Sequence, residues 1–144
     1  GCIVDFYCGV GAISLPLSPD NVPLTLVDIS ADSIRYATEN IAAGNRARAA
    51  AHCLPAEKMT RGITADATII LDPPRAGLHQ DVVRRILEVT PPRIIYLSCD
   101  IATHARDLAL LTPKYAVKFL KLYNFFPRTP HIEGLAVLEK NLLA

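Results

Sequence analysis

No run of apolar residues in this sequence approaches the roughly 18 to 20 needed to cross a bilayer, and the amino terminus lacks a basic stretch followed by an apolar one. Neither a membrane span nor a secretory leader is expected. The cysteines Cys2, Cys8, Cys53 and Cys99 form no C-x-x-C pair, and no histidine spacing suits zinc, so neither a disulfide framework nor a metal site is indicated. Reduced thiols in a cytoplasmic protein are the simplest reading. An excess of one charge is lacking too: fifteen Lys and Arg face fourteen Asp and Glu, a net of +1, far from the balance of a domain that grips nucleic acid by charge alone.

What is present is a chain of 144 residues with a hydrophobic fraction of 51%, enough for one sizeable core and one domain over residues 1–144. Internal repeats, low-complexity tracts and linkers are missing. Short β-branched runs at Cys2 to Phe6, Leu24 to Asp28, Thr68 to Leu71 and Arg93 to Leu97 predict strands buried on both faces, as in a parallel sheet. Helical periods lie between them. Ser30 caps a helix carrying Ile34, Ala37 and Ile41 and ending at Gly44; Val82, Val83, Ile86 and Leu87 form another, stopped by Pro91 and Pro92. A third carries Ile101, Ala105, Leu108 and Leu111 on one face. The alternation predicts a three-layer α/β sandwich with ligands at the carboxyl ends of the strands. The order then changes: Ala116 to Phe126 and Leu135 to Glu139 read as consecutive strands joined by the polar loop Pro127 to Gly134, so the sheet should finish with an antiparallel strand. Gly1 enters at once into an apolar strand, which reads as a piece cut from something longer.

The strand ends carry the chemistry. Asp5-Phe6-Tyr7-Cys8-Gly9-Val10-Gly11 leaves the first strand with glycines at G-x-G spacing, which lets backbone approach a ligand closely. Ser14 stands where a dinucleotide fingerprint needs its third glycine, which disfavours a nicotinamide or flavin. Asp28 ends the second strand nineteen residues after Gly9, where an acidic residue binds ribose hydroxyls. A carboxylate at Asp5 sits poorly beside a pyrophosphate but suits the cationic methionine end of S-adenosylmethionine. After the strand Thr68 to Leu71, Asp72-Pro73-Pro74-Arg75 holds a stiff turn that sets Asp72 at the edge of a cleft. Many amino-methyltransferases stack an aromatic residue where Arg75 stands. Ser98-Cys99-Asp100 ends the strand that begins at Arg93 and runs into a helix whose free amides favour a thiolate, a plausible position for a nucleophile. The loop Phe126-Pro127-Arg128-Thr129-Pro130-His131-Ile132-Glu133 delivers a histidine and a carboxylate, either of which can move protons.

Taken in order, these segments resemble the RNA uracil-5-methyltransferase family. The resemblance rests on D-F-Y-C-G-V-G at Asp5 to Gly11 with Ser14-Leu15-Pro16-Leu17 after it, Asp28-Ile29-Ser30, D-P-P-R-A-G-L at Asp72 to Leu78, S-C-D-I-A-T-H-A-R-D-L at Ser98 to Leu108, and F-P-R-T-P-H-I-E at Phe126 to Glu133. It implies a Rossmann-like class I methyltransferase fold, S-adenosylmethionine as cofactor, and tRNA or rRNA as substrate. It also implies that Cys99 attacks C6 of uracil, that Glu133 removes the C5 proton after methylation, and that Asp72 lies by the target base. The residues matching Asp5, Gly9, Gly11 and Asp28 line the family's cofactor site, with Asp72 at its edge.

Three positions depart from the family pattern. Ile101 replaces a common proline after S-C-D, Leu54-Pro55-Ala56-Glu57 follows the adenine-side motif only loosely, and the family's segment upstream of the first strand, with its RNA-recognition region, is expected before residue 1. Two other readings stand beside this one. An RNA cytosine-5-methyltransferase carries a second cysteine as D-x-P-C, where this chain has Pro74-Arg75. A non-catalytic relic of the fold that binds cofactor or RNA would be expected to lose Cys99 or Glu133.

Overall fold

The computed structural model describes residues 1–125, 127–129 and 131–141. Seven strands form one sheet: β1 (Cys2–Phe6), β2 (Leu24–Asp28), β3 (Ala49–Cys53), β4 (Ala67–Leu71), β5 (Arg93–Ser98), β6 (Tyr115–Tyr123) and β7 (Glu133–Lys140). Their order is β3-β2-β1-β4-β5-β7-β6, parallel from β3 to β5, with β7 antiparallel to both its neighbours. Strand order reverses between β1 and β4, which opens a crevice at their carboxyl ends.

Four helices connect the strands: α1 (Ser14–Leu17), α2 (Ala31–Ala43), α3 (Gln80–Val89) and α4 (Ile101–Leu111). Local chemistry sets their bounds. Ser30 caps α2 by accepting from the Ser33 amide, and Asn45 takes the left-handed conformation just beyond Gly44. Asp100 caps α4 by accepting from Thr103 N. α3 stops at a left-handed Thr90, ahead of the two prolines. α1 is a single turn, since Pro19 forces Ser18 out of helical geometry. Arg46 pins this turn, donating to the carbonyls of Leu15 and Ser18 while pairing with Asp20 at 3.1 Å.

The core lies on both faces of the sheet. α3 and Leu111 of α4 pack on Val4, Phe6, Ile69, Leu71, Ile94 and Tyr96. Ile34 of α2 packs with Cys8, Leu24 and Leu26 on the other side. The fold is therefore the Rossmann-like three-layer sandwich, mostly parallel and closing on an antiparallel strand. No helix among the described residues is long and apolar enough to cross a membrane.

Four details depart from the sequence expectations. The antiparallel β7 inserts between β5 and β6, so β6 is the sheet's edge. Glu133 and Gly134 belong to β7 rather than the loop, because Glu133 already pairs with Tyr123; Phe126 and Pro130 of the expected strand and loop lie outside the described residues. In β5, Ile95 and Leu97 are only half-buried, so that strand is covered on one face. In α4, Ile101 and Ala105 are exposed while His104 and Asp107 are buried, since those polar groups, seven and four residues before Leu111 on its face, turn toward β5.

Candidate active site

The first group of site residues surrounds the turn after β1. Tyr7, Gly9 and Gly11 all have positive φ, at 62°, 54° and 78°, so the backbone reverses repeatedly over five residues. Such a conformation is unusual for a bulky tyrosine and clusters at ligand sites. The glycines differ in purpose. A Cβ at Gly11 would lie 2.7 Å from Leu15 Cδ1 and 3.1 Å from Leu26 Cδ2, so Gly11 serves packing. A Cβ at Gly9 would meet nothing within 4 Å, so Gly9 faces open space. Its amide donates to Asp28 Oδ2 at 2.9 Å, while Oδ1 accepts from Ser30 N at 2.8 Å. Two amides thus fix the Asp28 carboxylate at the end of β2, and each oxygen keeps lone-pair capacity for a further donor.

Asp5 is 1% exposed. Ser14 Oγ donates to its Oδ2 at 2.5 Å, which explains a serine at the position of the missing glycine, and its Oδ1 has no partner. Burial pushes the Asp5 carboxyl up to about 7, the Ser14 bond opposes this, and the negative charges of Asp72 and Asp28 add to it. A buried orphan acceptor with carboxylates on two sides makes this rim electronegative. These acceptors fit a ligand with ribose hydroxyls and a cationic amino-acid tail.

The second group lies across the crevice. β4 ends at Leu71, paired with Tyr96, and delivers Asp72. Its carboxyl is held above the usual carboxylate range by burial, with the Glu133 charge adding to it. In the antiparallel β5–β7 ladder the last pair is Ser98 with Gly134. Cys99 directly follows β5 and Glu133 opens β7, so the two residues are the next positions outward from that pair. Cys99 precedes Asp100, whose side chain occupies the Thr103 amide, so a carboxylate caps the helix beside the thiol. Of the other cysteines, burial pushes the Cys8 thiol up to about 12, while Cys2 and Cys53 lie on strands β1 and β3. His131 contacts Arg75, 3.1 Å from Nδ1 to the guanidinium, which ties the last loop to the Asp72 turn. Because Asp5 feels both Asp28 and Asp72, the two groups adjoin. Glu57 lies on a short 3-10 turn after β3, and its charge reaches Tyr7 of the turn after β1.

The sequence reading missed the support behind this crevice. Asp107 of α4 is buried, and its carboxylate accepts from Tyr96 Oη at 2.6 Å, Leu78 N at 2.8 Å and both Nε and a terminal nitrogen of Arg106. Arg106 in turn donates to Ala76 O. One side chain thereby fastens the loop after Asp72 to β5 and to the helix that follows Cys99. The signal was the polar pair His104 and Asp107 three residues apart within a helix expected to bury apolar groups. Two concavities elsewhere, about 460 Å³ beside α3 and Leu110 and about 420 Å³ beside α1 and Arg46, are lined by none of Asp5, Asp28, Asp72, Cys99 or Glu133.

Comparison with known proteins agrees with this geometry. The sequence profile of the tRNA (Uracil-5-)-methyltransferase family matches residues 1–141. An uncharacterized RNA methyltransferase of Parasynechococcus marenigrum is 40% identical over 97% of this chain and 31% of its own length. The tRNA (uracil(54)-C(5))-methyltransferase of Schizosaccharomyces pombe is 35% identical over 95% of this chain and 28% of its own. The crystal structure of Pyrococcus abyssi tRNA (uracil-54, C5)-methyltransferase, in complex with S-adenosyl-L-homocysteine, superposes with a TM-score of 0.80 at 32% identity, covering 95% of this chain and 34% of that one. The chain spans about a third of the length of these proteins. By profile, identity and fold, it belongs to the tRNA (uracil-5-)-methyltransferase family.

Proposed function

We propose that residues 1–144 are the catalytic domain of an S-adenosylmethionine-dependent enzyme that methylates C5 of uridine in tRNA or rRNA through a covalent bond to Cys99. The observation that carries this reading is the β5–β7 register, whose last pair is Ser98 with Gly134, so that Cys99 and Glu133 are the next positions outward, with Asp72 directly after the neighbouring strand β4. The cofactor, when bound, supplies an electrophilic methyl group. Gly9 leaves room for it against the backbone, Asp28 receives ribose hydroxyls, and the acidic rim of Asp5 and Asp72 favours its positive charge.

An unmodified C5 of uracil is too weak a nucleophile to take the methyl group unaided. The Cys99 thiolate adds to C6, which forms an S–C bond and pushes the ring electrons toward C5. C5 then gains the methyl group, and Glu133 accepts the C5 proton. The freed electron pair restores the C5–C6 double bond as the S–C bond breaks and the thiolate returns. The RNA-recognition region is assigned to the portion outside this domain, and a cytoplasmic location accords with four free thiols.

Incubating the enzyme with labelled cofactor and a uridine-containing transcript tests the scheme. Cys99→Ala should abolish methyl transfer. Glu133→Gln should accumulate a methylated protein–RNA adduct that survives denaturing electrophoresis and vanishes when Cys99 is also replaced. Turnover of Glu133→Gln at the parental rate would assign proton removal to another group, and methylation by Cys99→Ala would rule out the covalent route.

A further inference from the structure

The edge strand β6 presents a surface that the reaction scheme leaves unused. From Val117 to Leu122 every residue is exposed, and apolar side chains dominate: Phe119, Leu120 and Leu122 are on the surface and Phe125, just beyond, is 65% exposed. Register assigns their faces. Tyr123 pairs with Glu133, Lys121 with Leu135 and Phe119 with Val137, so Phe119, Lys121 and Tyr123 share the sheet face of Glu133, and Tyr123 stands at the same end. The ring of Phe125 stacks on that of Tyr123 with centroids 5.5 Å apart and planes within 6°. Lys121 Nζ lies 4.9 Å from the Tyr123 centroid.

Charge is segregated to the same place. Residues 108–132 hold Lys114, Lys118, Lys121 and Arg128 and not one of the chain's fourteen acidic residues, along with five of its nine tyrosines and phenylalanines. A chain of net charge +1 with four cations and no acidic residue in this segment is net negative outside it. Parallel rings among lysines, here the half-buried Tyr123 and the exposed Phe125, are the means by which proteins hold unpaired bases, the rings stacking on the π-face and the cations following the phosphates. A protein strand is a poorer occupant: Lys118 and Lys121 interrupt the edge, and the register shift between Val117 and Phe119 bends it away from a regular ladder.

We propose that Lys121, Tyr123 and Phe125 form a stacking platform for an unpaired RNA nucleotide next to the uridine held at Cys99 and Glu133. The choice of uridine as neighbour rests on the proposed function; the platform itself does not. Fluorescence anisotropy with a labelled twelve-nucleotide single-stranded RNA, and with its duplex as control, reads it directly. The chain should prefer the single strand. Phe125→Ala should weaken binding about tenfold and Lys121→Ala several-fold, whereas Phe125→Tyr should keep the affinity because it keeps the ring. Unchanged affinity in Phe125→Ala and Lys121→Ala, or no saturable binding by the parent, overturns the platform. So does sedimentation showing a dimer that Phe125→Ala dissociates, since the occupant would then be a second copy. If Cys99 forms its adduct but Phe125→Ala binds RNA normally, only the platform fails; if no adduct forms yet Phe125→Ala loses RNA, only the methylation reading fails.

Discussion

Asp5 shows how much one residue can reveal about a site. Its folded-state carboxyl titrates near 7 because it is buried beside two other carboxylates, against 3.8 for an ordinary aspartate. The folded protein therefore holds this proton more tightly than the unfolded chain does. The contribution of Asp5 to stability is fully present below pH 4, falls as pH rises toward 7, and costs on the order of 4 kcal/mol above that. Urea unfolding at a series of pH values should show this decline, and Asp5→Asn, which can still accept from Ser14, should flatten it and be the more stable protein at pH 8. A parallel slope in the two proteins would mean that Asp5 is solvated. The two glycines separate in the same manner. Gly11→Ala forces a Cβ into Leu15 and Leu26 at φ 78° and should lower stability by about 2 kcal/mol. Gly9→Ala meets only the backbone cost of about 1 kcal/mol, yet its methyl group projects into the space assigned to the cofactor, so calorimetry should show binding lost in a folded protein.

At the scale of elements, the site depends on how pieces are fastened. Asp107 joins α4, β5 and the loop after β4 through one buried carboxylate. Replacing it with alanine leaves Tyr96 Oη and Leu78 N without their acceptor and should cost about 3 kcal/mol in denaturant unfolding. Because the loop carries Asp72 and Arg75, methyl transfer should fall further than the unfolded fraction explains; an activity that tracks stability alone would reduce Asp107 to a structural role. Much of this element chemistry was legible in the sequence. Ser30 announced its helix, and the apolar runs marked β1 and β2 to the residue. The inward turn of His104 and Asp107 was not, because hydrophobic periodicity assigns a buried face by apolarity, and here hydrogen bonds to another strand and loop decide it.

For the whole molecule, the near-neutral charge of the sequence conceals a polarity in space. With an acidic crevice rim and cations gathered along β6, RNA should meet only a few lysines and arginines. If three or four phosphates are neutralised, raising salt from about 0.05 to 0.2 M should weaken single-strand binding by roughly 20- to 50-fold, well short of the loss for a domain that binds by charge. A salt-independent affinity would point to stacking alone. The sequence by itself determined the α/β alternation, the strand-end motifs and the place of Cys99 at the end of β5, because each is written in local patterns of burial, turn and capping. Only the tertiary structure decided that β7 slips between β5 and β6. That antiparallel insertion brings Glu133 beside Cys99 across 34 residues of chain and exposes the aromatic edge of β6, since strand pairing depends on hydrogen bonds between distant segments that no local pattern specifies.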